Sequence, residues 1–482
     1  MKTKGSFRLV ALAALAAPLL MRAAGPATPI QHVVVIFDEN NSFDHYFATY
    51  PNAANPAGEP QFTPLPNTPS INGLTPGLIS NNPNSTKPFR LDRSMPLLCD
   101  NDNHYTDEQN AYHAGLLDKF PESTNGTGCP VGSNMGYYDG NTVTALWNYA
   151  QHFAMSDRFF DTEFGTTVMG HLNLVSGQTH QTSVNSIAGK VANGSVIANV
   201  EAGFDDCTGK TPVKMTSKNV GDLLTAAGIS WGWFYDSFAR IGSNSDGTAI
   251  CNPNYNNHYD PFMYYASTSN PHHLPPTSVA MVGKNGDQAN HQYDLSDFWD
   301  TAVYGTLPAV SFIKFESANT GHPADGPVLN EQQYLVNTIN ALQRLPEWNS
   351  MAIMITYDDS DGWYDHVMPP IVNQSNDSAN DSLLGPGLCG TPAQGAYLDR
   401  CGYGTRLPFM LISPFAKQNY VDSTTNDTTS ILRFIEDNWG LGRLGDQSFD
   451  ALAGSLMGMF NFNGAAAPAV FLDPATGLVS GQ

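Results

Sequence analysis

QHVVVIFDENN, residues 31–41, opens with an unbroken apolar run from Val33 to Phe37 and passes directly into Asp38, Glu39, Asn40 and Asn41. A continuous β-branched run, as opposed to an alternating one, marks a strand covered on both faces, the usual state of a strand inside a parallel sheet. Polar residues at the C-terminal end of such a strand stand where open α/β sheets bind ligands. The pattern recurs at Met351–Tyr357 (MAIMITY), which runs straight into Asp358 and Asp359. Ala309–Lys314 (AVSFIK) reads as a third buried strand.

Working outward, residues 142–152 and 172–176 read as helical, the latter following a tight turn at Gly165. Residues 220–227 form a helix that Gly228 stops, with a strand over 229–235 behind it. Leu335, Ile339 and Leu342 give residues 332–345 an amphipathic helical period that Pro346 ends. Short strands over 155–160 and 407–413 and a helix over 429–439 complete an alternation that predicts an α/β fold with a mostly parallel central sheet. One catalytic unit is expected over 28–463, with cap-like insertions drawn from 52–150 or 185–300, and a peripheral Ala-, Pro- and Gly-rich tail over 464–482.

The 482 residues carry a formal net charge of −22, and only 14% are charged. That balance argues against a nucleic-acid partner, whose phosphates are held by Lys and Arg, and against a polybasic membrane anchor. A phosphate site on so acidic a chain needs a local positive centre, and a metal ion supplies one. Lys2, Lys4 and Arg8 before the apolar run Leu9–Leu20 read as a signal peptide over 1–27, implying a periplasmic or secreted protein. No later segment is apolar enough to predict a membrane span. Six cysteines without a C-x-x-C pair suit an oxidising compartment, and pairing between sequence neighbours predicts 99–129, 207–251 and 389–401.

Three clusters carry chemistry. Glu39 and Asn40 offer hard oxygen ligands, although Asn41 or Ser42 also suits the cap of a helix containing Phe43 and Phe47. Asp358 and Asp359 are adjacent carboxylates at a strand end, which repel unless a cation or proton lies between them. Asp361 with Gly362 fits a simple turn. In FGTTVMGHLNL, residues 164–174, Thr167 is a hydroxyl in a turn opening a helix, where free N–H groups favour phosphate, and Thr166 suits the helix cap.

The strings QHVVVIFDENNSFDHYF, FGTTVMGHLNLVSGQTH, VSFIKFESANTGHP and ITYDDSDGWYDHV resemble the phosphoesterase family that joins bacterial phospholipases C with a respiratory-burst-inhibiting acid phosphatase. The resemblance covers about residues 30 to 440 and implies an alkaline-phosphatase-like three-layer αβα sandwich. It implies that Glu39, Asn40, Asp358, Asp359 and Thr167 hold a divalent metal, with Thr167 the nucleophile that forms a phospho-enzyme. His104, His258 and His322 are similar to positions that hold phosphate oxygens or protonate the leaving group, with His272 or His273 alternatives to His258. His45 and His366 read as supporting residues. Met169 replaces a common Pro and Thr167 replaces the Ser of the acid-phosphatase branch; both departures leave the hydroxyl in place. The arylsulfatase C/S-x-P-x-R context is missing around every cysteine.

The oxygen-rich ligand set suits Ca, Mg, Mn, Zn or Fe. The 357–363 and 171–178 strings stand closer to the acid-phosphatase branch, so phosphate monoesters come first among substrates and phospholipid diesters second. A choline-type head group would call for an aromatic cage, which Trp231, Trp233, Tyr264 and Tyr265 could supply, and core positions suit them equally. A secreted binding protein that has lost the reaction is the rival of another class, and retention of every inferred site residue speaks against it.

Overall fold

The computed structural model describes residues 1, 25–95 and 97–480, so most of the expected signal peptide lies outside the described residues. Eight strands build the central sheet: β1 (His32–Asp38), β2 (Ala154–Ser156), β3 (Trp231–Tyr235), β4 (Gln292–Asp294), β5 (Val310–Lys314), β6 (Met351–Tyr357), β7 (Phe409–Ile412) and β8 (Tyr420–Asp422). Their spatial order is β4-β3-β5-β1-β6-β7-β2-β8. Only β7 runs against its neighbours in this sheet; the other pairings are parallel. The fold is α/β with a mostly parallel sheet, as the apolar runs predict.

Every residue of β5 and β6, and all of β1 after His32, is buried. Strands of that kind need cover on both faces. Two groups of helices supply it: α4 (Thr167–Ser176) packs with α5 (Val220–Ala227) and α8 (Thr429–Trp439), and α3 (Thr144–His152) packs with α7 (Val328–Leu342). The remaining helices named below are α1 (Phe43–Phe47), α2 (Tyr105–Tyr112) and α6 (Leu295–Tyr304).

Several boundaries differ from the sequence reading for local reasons. The strand expected from 229 begins at Trp231, because Gly228 closes α5 at φ 70° and Ile229 N–H turns back to Leu224 O. Helix α7 starts at Val328, directly behind Pro327, and ends at Leu342; Leu345 is extended, as a residue before proline prefers. Helix α4 begins at Thr167, five residues before the apolar period becomes visible.

Strands β3 and β4 come from the 185–300 stretch, so part of that expected insertion belongs to the sheet. The C-terminal segment is docked, not loose: Gln343 brackets Val470, Asn340 brackets Leu472, and Asn148 donates to Gly477 O. Disulfides join Cys99 to Cys129, Cys207 to Cys251 and Cys389 to Cys401, the neighbour pairing expected from sequence. Among the described residues no helix is long and apolar enough to cross a membrane.

Candidate active site

Parallel register sets the site. Asp38 pairs with Tyr357, Ile36 with Ile313 and Tyr235 with Lys314, so β1, β3, β5 and β6 end at nearly one level. The residues that follow β1 and β6 therefore face each other across that edge, where open sheets take their ligands. Asn41 N–H donates to Asp359 O, stitching the two loops together. Beneath them Arg406 donates from Nε to Asp365 (2.9 Å) and from Nη2 to Asp44 (3.1 Å), tying α1 to the chain beyond β6.

Glu39 is fully buried and paired through Oε1 with the Lys314 ammonium, which lies 4.4 Å over the Tyr259 ring. An unpaired buried ammonium is costly, and this pairing also fixes the rotamer of Glu39. Asn40 adopts φ 55°, a left-handed conformation that Asn tolerates. Its backbone N–H donates to Asp358 Oδ1 (3.0 Å), and its Nδ2 donates to Asp361 Oδ1 (3.1 Å) and faces His322 Nε2 (3.0 Å). Asp358 Oδ1 also accepts Asp359 N–H at 2.9 Å. Asp359 Oδ1 accepts Asp361 N–H (2.7 Å), and its Oδ2 accepts from Asn103 Nδ2 (3.0 Å) and from the Thr167 hydroxyl (3.4 Å).

Glu39, Asn40 and Asp358 are thus each oriented by one polar atom while another stays free, whereas both oxygens of Asp359 are engaged. Glu39 Oε2, Asn40 Oδ1 and Asp358 Oδ2 are buried and have no hydrogen-bond partner within the described protein. Burial and the neighbouring Glu39 push the Asp358 carboxyl well above the ordinary range, and burial and Asp358 do the same to Asp359. Burial also raises Glu39, against the pull of Lys314. Buried carboxyls this close favour a shared proton or a cation, and the free oxygens are hard donors of the kind that Mg, Ca or Mn prefers. The residues fit a divalent cation.

Thr167 opens α4, with Thr166 as its extended cap residue. The Thr166 side chain makes no capping bond, so it does less than its position suggested. Two glycines of the motif have steric duties. Gly165 adopts φ 135°, and a Cβ at Gly170 would meet Asp358 O at 1.9 Å, so α4 approaches the 358–359 loop only because residue 170 has no side chain. His171 hydrogen-bonds Thr167 O through Nδ1 (2.8 Å); a carbonyl can only accept, so Nδ1 carries the proton. Glu39, His171 and Asp358 bring ligand-type atoms within 4.8 Å of one another.

The histidines divide by surroundings. His104, cap residue of α2, is hydrogen-bonded to Asp102 with 65% of its side chain exposed, and that bond raises its pKa. Burial works to lower the His322 pKa, but Asp361 and the Pro323 carbonyl outweigh it and the net direction is upward. His258 is held down to about 4 by burial and sits in the Asn257–Tyr259 turn that packs against α4. His272 and His273 are engaged elsewhere, by Asp206 (2.7 Å) and Asp205 (2.9 Å) near the Cys207–Cys251 disulfide. His45 stacks on Trp363 at 3.8 Å, and His366 is bonded to Asp44 at 2.6 Å.

The structure therefore gathers Glu39, Asn40, Asp358, Asp359, Thr167 and His322 at one point, with His104 and His258 around it. Of the two readings of Trp231, Trp233, Tyr264 and Tyr265, the structure gives the core: all four are buried and open to no ligand. Lys314, His171, Asn103 and Glu108 escaped the sequence reading. Lys314 had left a signal, a lone charge ending an apolar strand; Asn103 had left none.

The chain is thus a mostly parallel α/β protein whose strand ends gather hard oxygen donors around a helix-borne threonine. The profile of the Phosphoesterase family matches residues 30–442, and the chain belongs to that family. It is 29% identical over 437 residues to a non-hemolytic phospholipase C of Burkholderia pseudomallei, covering 88% of this chain and 57% of that protein. Phospholipase C A of Mycobacterium tuberculosis is 27% identical over 474 residues, covering 93% of this chain and 81% of that protein. The chain spans 57% of the Burkholderia protein and 60% of a Pseudomonas aeruginosa non-hemolytic phospholipase C. Among solved structures, murine ectonucleotide pyrophosphatase/phosphodiesterase 5 is 11% identical with a TM-score of 0.34, covering 66% of this chain and 95% of that one.

Proposed function

We propose that this chain is an exported, metal-dependent phosphoesterase that hydrolyses phosphate monoesters through a phospho-threonine at Thr167. The observation that carries this reading is the trio of buried, unpartnered oxygens of Glu39, Asn40 and Asp358 beside the Thr167–Asp359 contact. Glu39, Asn40, Asp358, Asp359 and Thr167 would hold the cation. When bound, it would lower the pKa of the hydroxyl and offset charge on the phosphoryl oxygens.

The Thr167 hydroxyl already points at Asp359, which gives its proton an acceptor. Thr167 Oγ1 forms the bond to phosphorus as the bond to the leaving oxygen breaks, and His104 or His322 protonates that oxygen. Water then attacks the phospho-threonine as the P–Oγ1 bond breaks, giving its proton to the same histidine, while Asp359 returns the first proton to Thr167 Oγ1. His258, held down to about 4, is neutral at pH 7 and suits a neutral hydrogen bond to a phosphoryl oxygen. The three disulfides support export, since such bonds persist in oxidising compartments.

Phospholipid diesters form the second reading, favoured by relatives named phospholipases C. The resemblance of the strings over 357–363 and 171–178 to the acid-phosphatase branch keeps monoesters first. Hydrolysis of an aryl phosphate and of phosphatidylcholine, each with and without a chelator, tests both readings. Chelator-sensitive turnover of the aryl ester supports the first; turnover of the lipid alone moves the second ahead, and inertness on both rejects the function.

A pH effect follows if His104 is the acid. Its Asp102 bond raises its pKa, so the proton needed by the leaving group is kept below that raised value and lost as pH rises through it. Asp102→Asn should move the alkaline limb of kcat to lower pH, while an unmoved limb would remove His104 from the role.

A further inference from the structure

We infer that Glu108 is a positioning residue that holds the nucleophile turn against the cation-binding loop. The inference rests on the phosphoesterase reading of the site, in which Glu108 itself takes no part. Glu108 lies on α2 one turn beyond His104, and its side chain is buried at 3% exposure. One carboxyl oxygen accepts the N–H of Gly165 (2.9 Å), two residues before Thr167. The other is bonded to the Ser360 hydroxyl (2.5 Å), immediately after Asp358 and Asp359. A single side chain therefore spans the two segments whose separation sets the Thr167–Asp359 contact.

Neither segment has an easy substitute for this brace. Gly165 at φ 135° belongs to a backbone conformation that side chains rarely adopt, so no bulkier residue can lock the turn from within. The same entry to α2 also sends Asn103 Nδ2 to Asp359 Oδ2 (3.0 Å), so one short segment reaches the loop at two points. Burial lifts the Glu108 carboxyl to about 8. Glu108 accepts the Gly165 N–H at one oxygen and the Ser360 hydroxyl at the other, and Ser360 Oγ in turn accepts Gly362 N–H (3.1 Å). Glutamine keeps an oxygen for the Gly165 N–H and offers its amide N–H to Ser360 Oγ; alanine keeps neither contact, and aspartate is too short to span them.

The test compares wild type with Glu108→Gln, Glu108→Ala and Glu108→Asp in the full chain, reading kcat and KM on an aryl phosphate and Mn2+ affinity by calorimetry. Misplaced supporting groups around a metal site typically cost about 10–100-fold in affinity or activity. Ala and Asp should lose kcat on that scale and weaken Mn2+ binding at least several-fold, with KM little changed, while Gln stays within about threefold of wild type. A folded Ala variant with wild-type kcat and Mn2+ affinity would overturn the inference, as would Gln behaving like Ala. If Ala and Asp fail to fold, Ser360→Ala cuts one arm alone, and wild-type kcat and Mn2+ affinity in that variant would count against the brace. Should wild type bind Mn2+ yet hydrolyse no ester, the proposed function fails and the Mn2+ arm still judges Glu108.

Discussion

Thr167→Ala should turn over an aryl phosphate at least about 100-fold more slowly than wild type, the scale on which loss of a nucleophile is felt. The substitution is otherwise mild. Alanine is the best helix former, so α4 should still begin at this position. Asp359 keeps its bond from Asn103 when the Thr167 hydroxyl goes. The melting temperature should therefore stay close to that of wild type, separating lost chemistry from lost structure. Thr167→Ser keeps the hydroxyl and should return to within about tenfold of wild type. An alanine variant with undiminished turnover would leave Thr166 or an activated water as the attacking group.

The second large effect comes from Asp358→Asn, and it has opposite signs in two measurements. The amide oxygen can still accept the N–H groups of Asn40 and Asp359, so the loop should keep its shape. What disappears is a carboxyl whose Oδ2 has no partner in the described protein. Divalent-cation affinity and turnover should each fall by about 100-fold or more, at least the loss that outer partners of a metal site already command. The chelated protein should nevertheless melt at a higher temperature, because a buried acid crowded by Glu39 has been replaced by a neutral group. Calorimetric titration with Mn2+ and thermal unfolding in excess chelator check the two signs. A variant that binds Mn2+ like wild type would remove Asp358 from the ligand set.

Much of this architecture was legible in QHVVVIF and MAIMITY, because a strand buried on both faces must be apolar throughout and leaves no ambiguity of period. The candidate site was legible for a related reason: Glu39, Asn40, Asp358 and Asp359 follow those strands without a spacer, so strand ends and candidate ligands are fixed together. Boundaries were less readable where backbone geometry overrode side-chain pattern, as at Ile229, which is spent closing helix α5. The start of α4 was hidden because Thr167, Val168 and Met169 carry no helical period, and Gly170 is there for close approach to Asp358 O. Trp231 and Trp233 suited a ligand cage and a core equally, because composition cannot distinguish an aromatic core from an aromatic mouth. Glu108 stayed invisible because its two partners lie 57 and 252 residues away along the chain.

The central claim is that phosphorus is transferred first to Thr167 and only then to water. Its most direct test is the stereochemical course of transfer from an aryl phosphate made chiral at phosphorus with oxygen isotopes to an alcohol acceptor. Two successive in-line displacements invert twice, so the account predicts net retention at phosphorus. Net inversion would mean a single displacement without a phospho-threonine, and would contradict it.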